Sequence, residues 1–172
     1  MLHIYTGNGK GKTTSAFGLA MRASGQGLNV IIYQFLKPKP ILCGEQIFAK
    51  RMKGIKLVTF KQTHPMFERS SAALSNLKKT IRNDFTIAKK TVLGRRYDMV
   101  VLDEIINVVD QGFIKEESFL SLLKNRPKKI ELILTGRGDI SRIEEYADYV
   151  TIMIDKKHPF RKDVAARRGI EY

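Results

Sequence analysis

Thr6-Gly7-Asn8-Gly9-Lys10-Gly11-Lys12-Thr13-Thr14 (TGNGKGKTT) separates two segments of different periodicity. Before it, Leu2–Thr6 reads as a short strand. After it, Thr13–Ser24 reads as a helix, with Ala16, Phe17, Ala20, Met21 and Ser24 on one face and Gly25 and Gly27 to end it. A glycine-rich loop that leaves a strand, enters a helix and closes on Gly-Lys-Thr is the context of a phosphate-binding loop. Gly9 and Gly11 let the backbone curl so that successive N–H groups turn toward phosphate oxygens. The positive end of the helix strengthens that field. Lys12 supplies a point charge, and the Thr13 hydroxyl is placed to ligate Mg²⁺. One position departs from the usual pattern: five residues before the Gly-Lys pair stands Thr6, and Gly7 follows one residue late. A glycine-rich turn with chance lysines is the plainer alternative, and the order strand, loop, helix argues against it.

Outward from the loop, strands and helices alternate. Asn29–Phe35 (NVIIYQF) is a near-continuous apolar run, as for a strand covered on both faces. Leu36–Glu45, with two prolines, reads as a loop, and Ile55–Phe60 as a strand. Ala72–Leu93 is the clearest helix, striped by Leu74, Leu77, Ile81, Phe85, Ala88 and Val92 and ended by Gly94. Asp98–Asp103 (DMVVLD) is a buried strand, and Glu116–Lys124 a helix stopped before Pro127. Ile130–Thr135 and Tyr149–Ile154 are further strands, with a short helix near Ser141–Tyr146 between them. Strands separated by helices pair in parallel. The expectation is one domain over residues 1–172: a three-layer α/β fold of the P-loop NTPase (RecA-like) type, with a mostly parallel sheet of about six strands. Its ligand belongs at the carboxyl ends of the strands.

Two acids, Asp103 and Glu104, end the apolar strand. Beside a phosphate loop an acid here helps hold a magnesium ion, directly or through water; spacing leaves both open. Thr135-Gly136-Arg137-Gly138 follows another buried strand; its glycines suggest close backbone approach with Arg137 toward phosphates or ribose, although for this motif alone a plain strand-to-helix turn is the better reading. Arg22, on the first helix, faces either the nucleotide or solvent. His3, His64 and His158 are scattered and form no ligand cluster.

Bulk properties set the frame. The 172 residues, 43% hydrophobic and 28% charged, suffice for one globular core. No apolar run is long enough for a bilayer, and Met1–Tyr5 lacks the pattern of a signal peptide. Cys43, the only cysteine, fits a reducing cytoplasm. The formal charge of +14 attracts polyanions: nucleotides, nucleic acid or an acidic protein. The basic residues are spread along the chain with no aromatic-interleaved RNA-binding motif, which makes nucleic acid the weaker reading.

The loop GNGKGKTT, with its displaced first glycine, resembles that of the corrinoid adenosyltransferases of the CobA/CobO/BtuR type. Further matches follow in order: Phe17-Gly18, Ala20 and Arg22; Gln34-Phe35-Leu36-Lys37; Gly44-Glu45; Val101-Leu102-Asp103-Glu104; Thr135-Gly136-Arg137-Gly138; Lys157-His158-Pro159-Phe160; and Arg168-Gly169-Ile170-Glu171-Tyr172. The resemblance implies transfer of the 5′-deoxyadenosyl group of ATP to the cobalt of a reduced corrinoid, with release of tripolyphosphate. ATP would lie in a reversed sense across Gly7, Asn8, Gly9, Lys10, Gly11, Lys12, Thr13 and Thr14. Lys12, Thr13 and Glu104 would be catalytic, with Thr13, Glu104 and Asp103 around Mg²⁺ (or Mn²⁺) and Arg22 and Arg137 as further nucleotide contacts. The family segment that covers the corrinoid's lower face with Phe and Trp aligns with Thr63–Glu68, where Phe67 takes the Trp position and Pro65 the Phe position. Members with an N-terminal extension use it to cover the site, and this chain begins almost at the phosphate loop. The resemblance also implies a homodimer, and the basic surface suits an acidic flavoprotein electron donor. The competing readings are another P-loop kinase or NTPase releasing ADP, and a nucleic-acid-stimulated ATPase.

Overall fold

The computed structural model describes residues 1–37, 43–60, 62 and 70–171, with Phe160 described by its backbone alone. Phe67 and its neighbours from Thr63 to Glu68 lie outside the described residues. Six strands form one sheet: β1 (Leu2–Thr6), β2 (Val30–Gln34), β3 (Ile55–Thr59), β4 (Met99–Asp103), β5 (Glu131–Thr135) and β6 (Tyr149–Ile152). They lie in the order β3-β2-β4-β5-β1-β6, and every pairing is parallel. The sheet is therefore wholly parallel. β5 is inserted between the strand that feeds the phosphate loop and the strand that ends in Asp103.

Side-chain alternation divides the core between the two faces. Leu2, Ile4, Ile31, Tyr33, Val100, Leu102, Leu132 and Leu134 point to one face. There they meet α3 (Ser71–Leu93), α4 (Ile105–Asp110) and α5 (Glu116–Asn125). Val30, Ile32, Met99, Val101 and Ile133 point to the other, against Ala16, Ala20 and Ala23 of α1 (Lys12–Gly25). The small residues of α1 let the helix lie close on the sheet. Its buried stripe is Lys12, Ala16, Ala20 and Ala23, so Met21, expected on that face, is instead 49% exposed. The stripe expected on α3 holds, with Leu77, Ile81, Phe85, Ala88 and Val92 buried and Leu74 partly so.

Two six-residue helices fall where the sequence reading places no helix: α2 (Gly44–Ala49), which begins in the last two residues of the expected loop Leu36–Glu45, and α4. The helix expected near Ser141–Tyr146 is a single 3₁₀ turn, Glu144–Tyr146. The tail holds another 3₁₀ turn, Pro159–Lys162. No helix among the described residues is long and apolar enough to cross a membrane.

Phe119 of α5 is fully buried, its ring 6.2 Å from that of Phe85 of α3. Phe119→Ala is expected to destabilise the fold by about 3–5 kcal/mol, through lost burial and a residual cavity. Urea denaturation measures it, with the m-value unchanged.

Candidate active site

Buried polar groups are uncommon unless they are satisfied, so their placement is informative. The buried polar and charged side chains among the described residues are Thr6, Lys12, Gln34, Gln46, Gln62, Asp103 and Thr135. Four of them end strands β1, β2, β4 and β5. All gather about the carboxyl edge of the sheet, where an open α/β sheet binds its ligand.

The phosphate loop rests on the end of β6. Gly7 and Gly11 have positive φ, 96° and 114°. Gly7 thus supplies the left-handed turn just past Thr6, which stays in β1. Gly9 is required for a different reason. Its N–H donates to Met153 O at 2.7 Å, and a Cβ there would stand 2.8 Å from the Met153 carbonyl carbon. The expectation that successive loop N–H groups all face phosphate is corrected at this residue: the Gly9 N–H is spent on β6. At the head of α1, Ser15 N–H donates to Gly11 O at 2.7 Å. The N–H groups of Lys12, Thr13 and Thr14 precede that first bond and are available to an anion.

Lys12 is 8% exposed. Its ammonium donates to Gly7 O and Gly9 O, each at 2.7 Å, so the loop holds the charge in its centre. Burial pulls its pKa below the ordinary lysine value, and Arg137 adds to the effect. Arg137 reaches over the loop: its guanidinium donates to Asn8 O at 3.2 Å, and its own N–H donates to Asn107 Oδ1 at 2.7 Å. Gly136, at φ 144°, permits this close passage, since a Cβ there would sit 2.5 Å from Asn107 Oδ1.

Asp103 is the hub. Its Oδ1 accepts from Thr13 Oγ1 at 2.9 Å and Thr135 Oγ1 at 2.7 Å, and its Oδ2 from Gln34 Nε2 at 3.1 Å. Lys37 Nζ lies 3.9 Å from Oδ2. Gln34 passes the network outward, its Oε1 accepting from Gln46 Nε2 at 2.7 Å and Thr59 Oγ1 at 3.2 Å. Asp103 is wholly buried and does not line the cleft, whereas Glu104 does. Glu104 has φ 63°, held in this left-handed turn at the start of α4 by donation of its N–H to Thr135 Oγ1.

These residues border a cleft of about 540 Å³ whose walls include Gly9–Thr14, Lys37, Cys43–Glu45, Glu104, Asn107 and Arg137. Its far wall comes from the tail, where His158, Ile170 and Glu171 line it. Glu171 faces Lys10 at 3.9 Å, and Arg167 holds its carboxyl down to about 2. Lys10, Lys12, Thr13, Thr14, Glu104 and Arg137 are thus brought together as expected. Arg22 is not among them: it is exposed in the last turn of α1, away from the cleft lining. Gln34, Lys37, Gln46, Asn107 and Thr135 join the site without having been singled out for it.

A hard divalent cation fits this donor set. Thr13 Oγ1 gives its proton to Asp103 and so turns lone pairs to the cleft, where Glu104 adds a carboxylate. No group of three or more His, Cys, Asp or Glu side chains forms a metal cage among the described residues. An ion held by hydroxyl, carboxylate, water and phosphate oxygens needs none.

The profile of the family described as ATP:corrinoid adenosyltransferase BtuR/CobO/CobP matches residues 1–172, the whole chain. This chain belongs to that family. The corrinoid adenosyltransferase of Escherichia coli (strain K12) is 33% identical over 169 residues, covering 98% of this chain and 84% of the relative. That of Pseudomonas aeruginosa is 31% identical over 175 residues, covering 100% and 83%. The corrinoid adenosyltransferase CobA of Salmonella typhimurium is 32% identical over 169 residues, covering 98% and 84%. ATP-dependent adenosyl transfer to a corrinoid is the reaction of this family.

Glu104 carries a stability signature. Burial raises its carboxyl pKa above the ordinary 4.5, the Asp103 charge raises it further, and Lys37, Lys12 and Arg137 oppose the rise. An acid with a raised folded pKa contributes stability below its ordinary pKa and loses it as pH rises through the folded value. Glu104→Gln is therefore expected to raise the melting temperature of the unliganded protein at pH 7, with the gain vanishing below pH 4. A pH series of thermal melts measures it, and Mg²⁺-dependent ATP affinity falls in the same variant.

Proposed function

We propose that this chain transfers the 5′-deoxyadenosyl group of ATP to the cobalt of a Co(I) corrinoid and releases tripolyphosphate. The observation that supports it most is the joining of a preformed phosphate cradle, centred on Lys12, to the Thr13–Asp103 pair in one cleft. In this reading residues 1–172 act as one nucleotide-binding unit. Co(I) supplies the electron pair that attacks C5′. The C5′–O5′ bond breaks, and its pair leaves on the tripolyphosphate as cobalt becomes Co(III).

The chain's part is positioning and charge. Lys12, Arg137 and the first N–H groups of α1 take the phosphates, where fixed donors stabilise the charge of the leaving group. Thr13 and Glu104 would hold Mg²⁺, with Asp103 behind Thr13; the ion would neutralise phosphate charge. Placement of Asp103 away from the cleft favours Glu104 as the acid nearer the ion. Phe67 is retained as the residue proposed to cover the corrinoid's lower face. A homodimer, an acidic flavoprotein donor docking on the basic surface, and a cytoplasmic setting complete the proposal.

The test is spectroscopic and anaerobic. Protein, MgATP and chemically reduced cob(I)alamin should yield the visible spectrum of a cobalt–carbon species that bleaches in light. Absence of that spectrum at full MgATP saturation overturns the reading.

A further inference from the structure

Lys37 is a charged, largely covered side chain that the reaction as derived does not use. Its side chain is 23% exposed and lines the nucleotide cleft. Its ammonium is thus a positive charge set in the β2 wall of the cleft, beside the Asp103 carboxylate. The nearest anion, Asp103 Oδ2, is 3.9 Å away, beyond hydrogen-bond length. Asp103 is already satisfied by Thr13, Thr135 and Gln34. Among the described residues no hydrogen bond takes up the ammonium of Lys37, and its side chain borders the cleft.

The backbone is built to place it. Leu36, just before it, is buried yet sits at φ 50°, a left-handed conformation that costs a non-glycine residue about 1–3 kcal/mol. The turn is fixed because Leu36 N–H donates to Gln62 Oε1 at 2.9 Å, and Gln62 Nε2 donates to Asp84 Oδ2 of α3 at 2.7 Å. Such strain persists where the surrounding structure over-determines it. Lys12, Lys10 and Arg137 approach from the loop and β5; Lys37 alone among these cations approaches from β2, on the other side of β4.

We propose that Lys37 is a second polyphosphate-binding cation, which exchanges its distant pairing with Asp103 for direct hydrogen bonds to phosphate oxygens of the bound nucleotide. This rests on the adenosyl-transfer reading for the identity of the phosphate chain, which is tripolyphosphate once the adenosyl group has left. A lysine that served only to neutralise Asp103 would matter for stability and not for affinity.

Titration calorimetry with Mg-tripolyphosphate and with MgATP separates the two roles. Lys37→Met should weaken both ligands about 10- to 100-fold, the loss of a charged hydrogen bond, and Lys37→Arg should recover most of the affinity. Should Lys37→Met not fold, Lys37→Gln, neutral but still a donor toward Asp103, carries the same test. Unchanged affinity for both ligands, with a lowered melting temperature, overturns the proposal. Failure of the adenosyl-transfer reading is seen separately: wild type would then bind MgATP with the Lys37 dependence intact and form no cobalt–carbon product.

Discussion

Lys12→Ala is expected to lower kcat/KM for adenosyl transfer by about 10²–10³-fold, the usual loss when a preorganised donor to a developing anion is removed. The loop's own carbonyls seat the lysine: its ammonium bridges Gly7 O and Gly9 O at the centre of the loop. The same bonds tie the loop together, and their loss should cost about 2 kcal/mol of stability. Lys12→Arg is not expected to rescue, because a planar guanidinium does not fit where a compact ammonium sits between two loop carbonyls. Steady-state kinetics beside a thermal melt measure both effects. A variant that retains transfer within tenfold of wild type would remove Lys12 from the mechanism.

Asp103→Asn should act on stability and activity together. The carboxylate accepts from Thr13, Thr135 and Gln34 and offsets Lys37. An amide of the same shape presents one acceptor and one donor group, so at least one of these donors faces another N–H. Lys37 also loses its buried counter-charge. Leaving a buried donor unsatisfied in this way costs about 1–3 kcal/mol. Thr13 loses the acceptor that fixes its hydroxyl proton, so Mg²⁺-dependent ATP affinity should fall as well. The adjacent acid gives the contrast: neutralising Glu104 stabilises the unliganded protein at pH 7, and neutralising Asp103 destabilises it. Urea denaturation of the two variants at pH 7 tests that opposition, and equal signs would contradict the assigned geometry.

Much of this was legible in the sequence, for identifiable reasons. The phosphate loop and the apolar strands β2 and β4 announce themselves because local pattern and tertiary role agree. α3 is long enough for its stripe to be read over six turns. The short helices α2 and α4 are not legible because six residues make fewer than two turns and show no period. In α4 the run Ile105-Ile106-Asn107-Val108 is apolar for burial under β5, not for helical patterning. Hydrophobicity alone puts Met21 on the buried face of α1, whereas close packing on the sheet selects the alanines and leaves Met21 exposed. Gln34 hid inside an apolar run: a single polar residue ending a buried strand reads as noise until its partners Asp103, Gln46 and Thr59 are seen in space. Lys37 does not stand out in the sequence, since nothing local distinguishes a cleft lysine from a surface one in so basic a chain. The displaced glycine, by contrast, has a plain cause. Thr6 completes β1 beside Ile152, and the left-handed turn falls on Gly7.

The central claim is that this cleft breaks the bond between C5′ and the triphosphate of ATP, leaving the phosphate chain whole. The most direct measurement is the phosphate product of the anaerobic reaction with cob(I)alamin, resolved by phosphorus NMR and compared with the amount of cobalt–carbon product. The account predicts intact tripolyphosphate, equimolar with adenosylated corrinoid, with both formed about 10²–10³-fold more slowly by Lys12→Ala. ADP and orthophosphate in its place, with no cobalt–carbon product, would contradict it.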